Sequence, residues 1–313
     1  MAVDGVRAVV LTHGTGGDYE PLLESLLAEG MAPDGILLVH NPSTRGEPAP
    51  EPAVGCEVLS ASHNLGYAIG MNRGIERQLE RGCEFVFVLT HDARLREGAL
   101  QALVTAARRN PEYGVLGPAL ILAGTEIPFS HGGITLANGA VEHIHERPET
   151  DAEILPCDWI DGGTMLFRAD LLERIGGFDE QFWLYAEDAE ICLRATRSGS
   201  RVGVLLNAHA DQAPGGAKRP AAWSYLMARN GAAYAYRSKG VRGLSLAIGR
   251  TLRETALNLA RALARRLRLR DGPAIEPWSL AVGSGRGVLD LLRRRWGPPP
   301  SLPGGGDIQN VAE

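Results

Sequence analysis

Short apolar runs alternate with helix-period segments through the first hundred residues. Residues 6–11 (VRAVVL) have the unbroken hydrophobic character of a parallel strand buried on both faces. The Gly-rich turn Gly14-Thr15-Gly16-Gly17 precedes a helix marked by Leu22, Leu23, Leu26 and Leu27. Residues 36–39 (ILLV) read as a second strand, ending at His40-Asn41-Pro42-Ser43. A Pro/Glu loop over 46–53 leads to a third strand around 57–60, a helix over 67–81 and the strand 85–89 (FVFVL). This order predicts an α/β fold with a parallel sheet and helices on both faces. Such sheets bind ligands beyond their C-terminal strand ends, so Thr12-His13, His40-Asn41 and Thr90-His91-Asp92 are expected to converge on one crevice. Residues 117–160 read as irregular hairpins and loops, and 202–206 as a strand. Residues 223–239 and 244–269 read as helices, and the Pro/Gly tail from 297 as disordered.

Composition adds two constraints. A hydrophobic share of 44% and a charged share of 22% suit a soluble globular chain, and 313 residues allow one large domain or a domain with an appendage. The net charge of −5 hides an asymmetry. Residues 1–215 hold 15 Lys and Arg against 31 Asp and Glu, while residues 216–313 hold 17 against 6. A basic C-terminal region after an acidic body either meets an anionic surface or packs on the body itself. Cys56, Cys83, Cys157 and Cys192 form no CxxC pair and read as reduced core thiols. No signal peptide and no run of about 18 apolar residues is evident, so a cytoplasmic location is expected, open to peripheral contact with the inner face of a membrane.

Two acidic positions carry the candidate chemistry. Asp92 closes the Thr90-His91-Asp92 segment directly after a buried strand, where a carboxylate can hold a divalent ion against a diphosphate or cap the following helix. Glu187-Asp188 follows the aromatics Phe182, Trp183 and Tyr185, at the start of a helix-like segment. One such carboxylate can serve as a base, and the helix dipole would favour the pair even without chemistry. The segment 63–75 (HNLGYAIGMNRGI) is a Gly-punctuated loop entering a helix, where small residues permit either a ligand or a strand to approach closely. It matches neither a Rossmann fingerprint nor a P-loop. His131, His143 and His145 fit no familiar metal spacing.

Taken in order, THG, VHNPS, NLGYAIGMNRGI, FVLTHDARL and GGFDEQFWLYAEDAEICLRATRSG resemble the family 2 nucleotide-sugar glycosyltransferases, nearest their bacterial rhamnosyltransferase-like branch. The resemblance spans roughly residues 6–240. It implies a GT-A fold, a Rossmann-like mixed sheet with helices on both faces, over residues 1–215. A basic helical region, 216–296, and a disordered tail, 297–313, would follow. It further implies inverting transfer from a nucleotide diphosphate sugar, with Asp188 as general base and Glu187 as its partner. Asp92, and His209 downstream, would hold Mg or Mn. Thr12, His40, Asn41, Asn64, Gly66, Asn72 and Thr90 would line the nucleotide-sugar site. Asp161, Gly162, Gly163, Trp183 and Tyr185 would line the acceptor and sugar pocket, and Arg229-Asn230 matches a pair frequent in relatives. Thr90 stands where an Asp is frequent, and His40 replaces the Asp usual before Asn41, which leaves the donor base unassigned.

The acceptor is expected to be a saccharide, a lipid-linked molecule or a small molecule. Residues 244–269, with Leu252, Ala256, Leu259, Leu263 and Leu267 interleaved with arginines, suit a peripheral membrane contact or a protein partner, including a second copy. No nucleic-acid module accompanies the arginines. A catalytically silent sugar-nucleotide-binding protein recruited to a membrane surface is the alternative.

Overall fold

A computed structural model describes residues 3–14, 19–43, 46–213, 220–267, 275–300 and 302. The chain divides into two compact units. The first comprises Met1–Ile134, Glu142–Asp179 and Glu187–Pro214; the second comprises Thr135–Val141, Glu180–Ala186 and Gly215–Glu313. Residues 15–17 of the expected turn and most of the expected tail lie outside the described residues.

The first unit is built on one large mixed sheet. Its N-terminal strands are β1 (Val6–His13), β2 (Ile36–Asn41), β3 (Glu57–Ser60) and β4 (Phe85–Thr90), paired in parallel in the order β4-β1-β2-β3. Their continuous apolar sequence follows from burial on both faces. Ala8, Val10, Ile36, Leu38, Phe85 and Phe87 join one core with Leu22, Leu23 and Leu26 of α1 (Glu20–Ala28) and Leu100 and Leu103 of α3 (Ala99–Arg109). The opposite face carries α2 (Gly66–Glu80), which approaches so closely that a Cβ at Gly70 would come within 2.8 Å of Leu11. A Cβ at Gly74 would collide with Val9 and Val39. Close helix–sheet packing therefore accounts for these two glycines of the expected ligand loop.

Beyond β4 the sheet departs from the parallel expectation. The short β5 (Ala93–Leu95) precedes α3, and β6 (Tyr113–Leu122) follows it. The segment read as irregular from residue 117 thus begins inside a ten-residue buried strand. The short strands β7 (Pro128–Ser130), β8 (Gly133–Thr135), β9 (Val141–His143) and β10 (Ile154–Pro156) lead to β11 (Thr164–Arg168), inserted antiparallel between β4 and β6. After α4 (Ala169–Ile175) and α5 (Glu187–Arg197), β12 (Arg201–Gln212) pairs parallel to β6 and antiparallel to β5 and β10. The four cysteines are unpaired, with Cys56 and Cys192 buried.

The second unit is helical. Its α6 (Pro220–Arg266) is broken at Gly240, whose φ of 65° and ψ of −153° interrupt the helix between the two segments expected from sequence. A further helix, α7 (Ile275–Leu292), which lies within the helical region expected over 216–296 but is not delimited there, packs along it. No described helix is long and apolar enough to cross a membrane.

Candidate active site

The antiparallel pairing of β11 with β4 builds the acidic part of the site. Thr164 stands opposite Leu89, and Thr90 N–H donates to Gly163 O at 3.0 Å. The end of β4 and the start of β11 therefore share one rim, which brings the Thr90–Asp92 and Asp161–Gly163 segments together. Asp161 Oδ1 accepts from Gly163 N–H at 2.9 Å. A Cβ at Gly163 would press on Gln212, Asp161 and Thr90, so only glycine admits these three side chains around one point. Gln212 Nε2 donates to Asp92 Oδ2 at 2.8 Å, and its buried Oε1 has no partner among the described residues.

Asp188 joins this rim from the first turn of α5. Its Oδ2 accepts from Gly162 N–H at 3.2 Å and its Oδ1 from Ala189 N–H at 2.7 Å. Burial, and then the neighbouring Asp161 carboxylate, push its pKa up to about 7, against the opposing pull of these amide donors. Glu187 is buried, its Oε2 has no partner among the described residues, and burial followed by repulsion from Asp188 holds its pKa well above the usual carboxylate range. Asp161 is raised by burial and by Asp92, while Gly163 N–H and His143 oppose the shift. Tyr67 closes the floor, donating its hydroxyl to Gly162 O at 2.5 Å with its ring edge-on to Phe178 at 5.2 Å.

A second polar group sits at the ends of β1 and β2. Thr12 and His40 face each other in the register, both fully buried. Thr12 Oγ1 and His40 Nε2 find no partner among the described residues, although His40 Nδ1 shares a hydrogen bond with Ser60 Oγ at 3.0 Å. Burial lowers the His40 pKa, so its imidazole is neutral near pH 7.

Several expected site residues serve the scaffold instead. Asn72 was expected at the nucleotide sugar, but its Oδ1 accepts from Phe178 N–H at 2.7 Å and its Nδ2 donates to Phe178 O at 2.8 Å. Asn41 similarly donates to Gly66 O at 2.8 Å and accepts from Leu65 N–H, fixing the entry to α2. Asn64 Oδ1 accepts from Gly66 N–H at 2.8 Å, where Gly66 takes a φ of 79° that favours glycine. Trp183, expected in the acceptor pocket, is core: it is 3% exposed and packs with Ala221, Tyr225, Leu226 and Leu302. Tyr185, half-buried, packs against the same cluster.

His209 does not join Asp92. In the β5–β12 pairing Ala93 faces Gln212 and Leu95 faces Ala210, and Arg96 N–H donates to His209 O at 3.0 Å. His209 is therefore level with Arg96, four residues past Asp92 and about 13 Å along the strand. Burial, then the Arg96 and Arg147 charges, lower its pKa, with Glu126 opposing. Among the described residues no group of three or more His, Cys, Asp or Glu could hold a metal. What remains at the rim is an oxygen set, Asp92, Asp161, Thr90 and Gln212. Two carboxylates among hard oxygen donors are of the type that suits Mg or Mn, which rarely use all-protein cages.

Tyr67, Gln212 and His143 were not anticipated as site residues. His143 has its ring 4.7 Å from Trp159 and its Nδ1 shares a hydrogen bond with Ser130 Oγ, and burial lowers its pKa against the pull of Asp161. Gln212 and His143 lie in no spaced motif, and Tyr67, although inside NLGYAIGMNRGI, is tied to the rim only by its hydrogen bond to Gly162 O.

This sheet, with an acidic rim at its strand ends, has the GT-A fold. No family model matches the chain. The chain is similar to the N-acetylglucosaminyl-diphospho-decaprenol L-rhamnosyltransferase of Mycobacterium tuberculosis, 27% identical over 220 residues covering 63% of this chain and 72% of that protein. It is equally similar to the galactofuranosyltransferase GlfT1 of the same organism, 27% identical over 214 residues and covering 66% and 69%. The resemblance to the rhamnosyltransferase-like branch of family 2 thus extends to curated proteins. Among solved structures, the mannosyltransferase PcManGT from Pyrobaculum calidifontis, in complex with GDP-Man and Mn2+, superimposes with a TM-score of 0.51 at 15% identity, covering 91% of this chain and 87% of that one. GalNAc-T7 with UDP, GalNAc and Mn2+ does so with 0.53 at 11%, covering 66% and 43%.

Proposed function

We propose that this chain moves a sugar from a nucleoside diphosphate donor to an acceptor hydroxyl, with inversion at the anomeric carbon. The observation that carries the reading is Asp188, a carboxylate poised near neutral pH beside Asp161 and Asp92 on one rim. A base of that pKa is half ionised at pH 7 and strong enough to take a hydroxyl proton as the new bond forms. The acceptor oxygen bonds to the anomeric carbon while the bond from that carbon to the diphosphate oxygen breaks, and the acceptor proton passes to Asp188. Inversion follows from in-line attack with one base and no assigned protein nucleophile.

Glu187 lies next to Asp188, and burial and the Asp188 carboxylate together raise its pKa. Asp92 and Asp161 would hold the divalent ion, with Gln212 fixing the Asp92 carboxylate. Mg or Mn, when bound, supplies positive charge to the departing diphosphate. Thr12 Oγ1 and neutral His40 Nε2 offer two buried hydrogen-bonding atoms for the nucleotide base. Gly66 at the start of α2 and Thr90 at the rim would border the sugar nucleotide, with Gly162 and Gly163 admitting the sugar.

We further propose a lipid-linked acceptor and a peripheral membrane contact. Two features support them: the decaprenol-linked substrate in the name of one relative, and the face of α6 turned away from α7. Leu252, Leu259, Leu263 and Leu267 are exposed in one stripe, with Arg253 and Arg266 exposed on either side of it. Such a stripe suits an anionic bilayer surface. Two copies of the stripe face to face would instead juxtapose their arginines.

The reading is tested by thermal shift with UDP, GDP and dTDP, each with and without Mn2+. One nucleotide is expected to stabilise the chain in a Mn2+-dependent way, and Asp92→Ala to remove the Mn2+ dependence. Equal stabilisation of Asp92→Ala by Mn2+ and nucleotide would remove Asp92 from the metal site.

A further inference from the structure

The main chain just before Glu187 follows a path that side chains resist. Trp183, Tyr185 and Ala186 have φ values of 62°, 71° and 67°, three left-handed non-glycine residues within four positions. There the Cβ crowds the backbone carbonyl, and such residues persist only where their surroundings over-determine them. Leu184 N–H donates to Phe182 O at 2.7 Å, closing a tight turn around Trp183 that matches the rarer, strained form of the γ-turn.

The hold on this turn comes from two consecutive residues of α6. Asn230 is fully buried, and its Nδ2 donates to the carbonyls of Phe182, Leu184 and Tyr185 at 2.8, 2.8 and 2.9 Å. Its Oδ1 accepts from Arg229 Nε at 2.9 Å, which fixes the orientation of the amide. Arg229, also fully buried, donates to Phe182 O at 3.3 Å and Gly297 O at 2.7 Å. Its guanidinium lies 5.2 Å from the Tyr225 ring and 5.8 Å from that of Trp296. Every group that Arg229 bonds is neutral: carbonyls, an amide and the Tyr225 hydroxyl. The buried Asp290 carboxylate favours the guanidinium and accepts from the Tyr225 hydroxyl, but a buried charge whose direct hydrogen bonds all go to neutral groups remains costly. Its partners here are the carbonyls of the strained turn and the Gly297 carbonyl after α7.

We infer that Arg229 and Asn230 are positioning residues, which hold 182–186 in its left-handed path so that the chain enters α5 with Asp188 at the helix start. Left-handed residues turn the chain sharply within few positions, and one peptide bond joins Ala186 to Glu187. Asn230 supplies the turn with hydrogen bonds that α6 could not offer through an apolar side chain of the same size. The inference rests on Asp188 as the base.

The test compares Asn230→Ala, Asn230→Asp and the double variant Asn230→Ala/Ala186→Gly in the full chain. Nucleoside diphosphate release is measured from the UDP-, GDP- or dTDP-sugar that the parent protein turns over. Hydrogen exchange is followed over residues 183–188. Both single variants are expected to lose at least tenfold in kcat with the donor KM within about twofold. Exchange should quicken at least tenfold over 183–188 and stay unchanged in β1 and β4. The acid limb of the rate profile should move below the parent's value, because a loosened turn lets water reach Asp188. Ala186→Gly should restore several-fold of the lost kcat, since glycine adopts the left-handed path freely. Unchanged kcat and exchange would overturn the inference, and so would a loss that raises KM and melts the whole sheet in step. If neither single variant folds, Ala186→Gly alone decides: relief of strain raises its melting temperature, and a fall overturns the idea. Failure of Asp188→Asn to abolish transfer would sink the base assignment separately.

Discussion

Asp188→Asn is expected to abolish transfer and, at the same time, to stabilise the protein more at high pH than at low. In the folded chain the carboxyl has a pKa of about 7, against an ordinary value of 3.8. A raised acid binds its proton more tightly when folded, so its contribution is most favourable below pH 3.8 and is lost as pH rises to about 7. Each pH unit within that window costs about 1.4 kcal/mol. Between pH 5 and pH 8 the parent therefore loses about 2.7 kcal/mol, as a ceiling, that the uncharged Asn variant does not lose. The amide also gives up part of the bonding to Gly162 and Ala189 N–H, but that loss, about 1 kcal/mol, does not vary with pH. For a chain of this length, about 2.7 kcal/mol corresponds to roughly 4 °C in melting temperature. Melting curves of parent and variant at pH 5, 6, 7 and 8 give the difference directly. A difference that stays constant across the series would refute both the raised pKa and the reasoning from burial.

Asp161→Asn removes the charge that, after burial, most raises Asp188. Its acid limb in kcat/KM for nucleoside diphosphate release should fall below the parent's value of about 7, and an unmoved limb would uncouple the two carboxylates. Gly74→Ala should cost about 1–3 kcal/mol in urea unfolding, because the added methyl meets Val9 and Val39 across the helix–sheet contact. Parent-like stability would show that α2 can shift. The α6 face should carry the chain upward with phosphatidylglycerol vesicles in a flotation gradient but not with phosphatidylcholine, and Leu259→Asp/Leu263→Asp should abolish this. A parent that stays at the bottom but sediments as a dimer would assign the stripe to a second copy.

The apolar runs of β1, β2 and β4 were legible because strands covered on both faces need no polar positions. Asp92, Asp161 and Asp188 were legible through the resemblance of their motifs, and the structure brings all three to one rim. The rest was hidden by non-local effects. Gly117 and Pro118 made the buried β6 look like a loop, although a Cβ at Gly117 would crowd Ile160 and the Thr164 carbonyl. His209 suits a metal ligand by sequence order alone, but the pairing of β12 with β5 sets it beside Arg96 and brings Gln212 to Asp92 instead. The glycines of α7 argue against a helix, but at Gly283 and Gly287 a Cβ would strike the Ala221 and Tyr225 carbonyls of α6. No local pattern could reveal the strained turn, because its support lies about 45 residues further along the chain.

The antiparallel entry of β11 beside β4 also sets an order of events during synthesis. β1, β2, β3 and β4 can pair as they leave the ribosome, since each finds its neighbour within a short stretch of chain. Asp92 is then already in place, but Tyr67 lacks the Gly162 carbonyl and no second carboxylate faces Asp92. Only when the chain reaches residues 161–168 do the acidic groups meet. Along the chain the acidic rim is thus assembled from three separate stretches, with Asp161 following Asp92 just before β11 and Asp188 following only with α5.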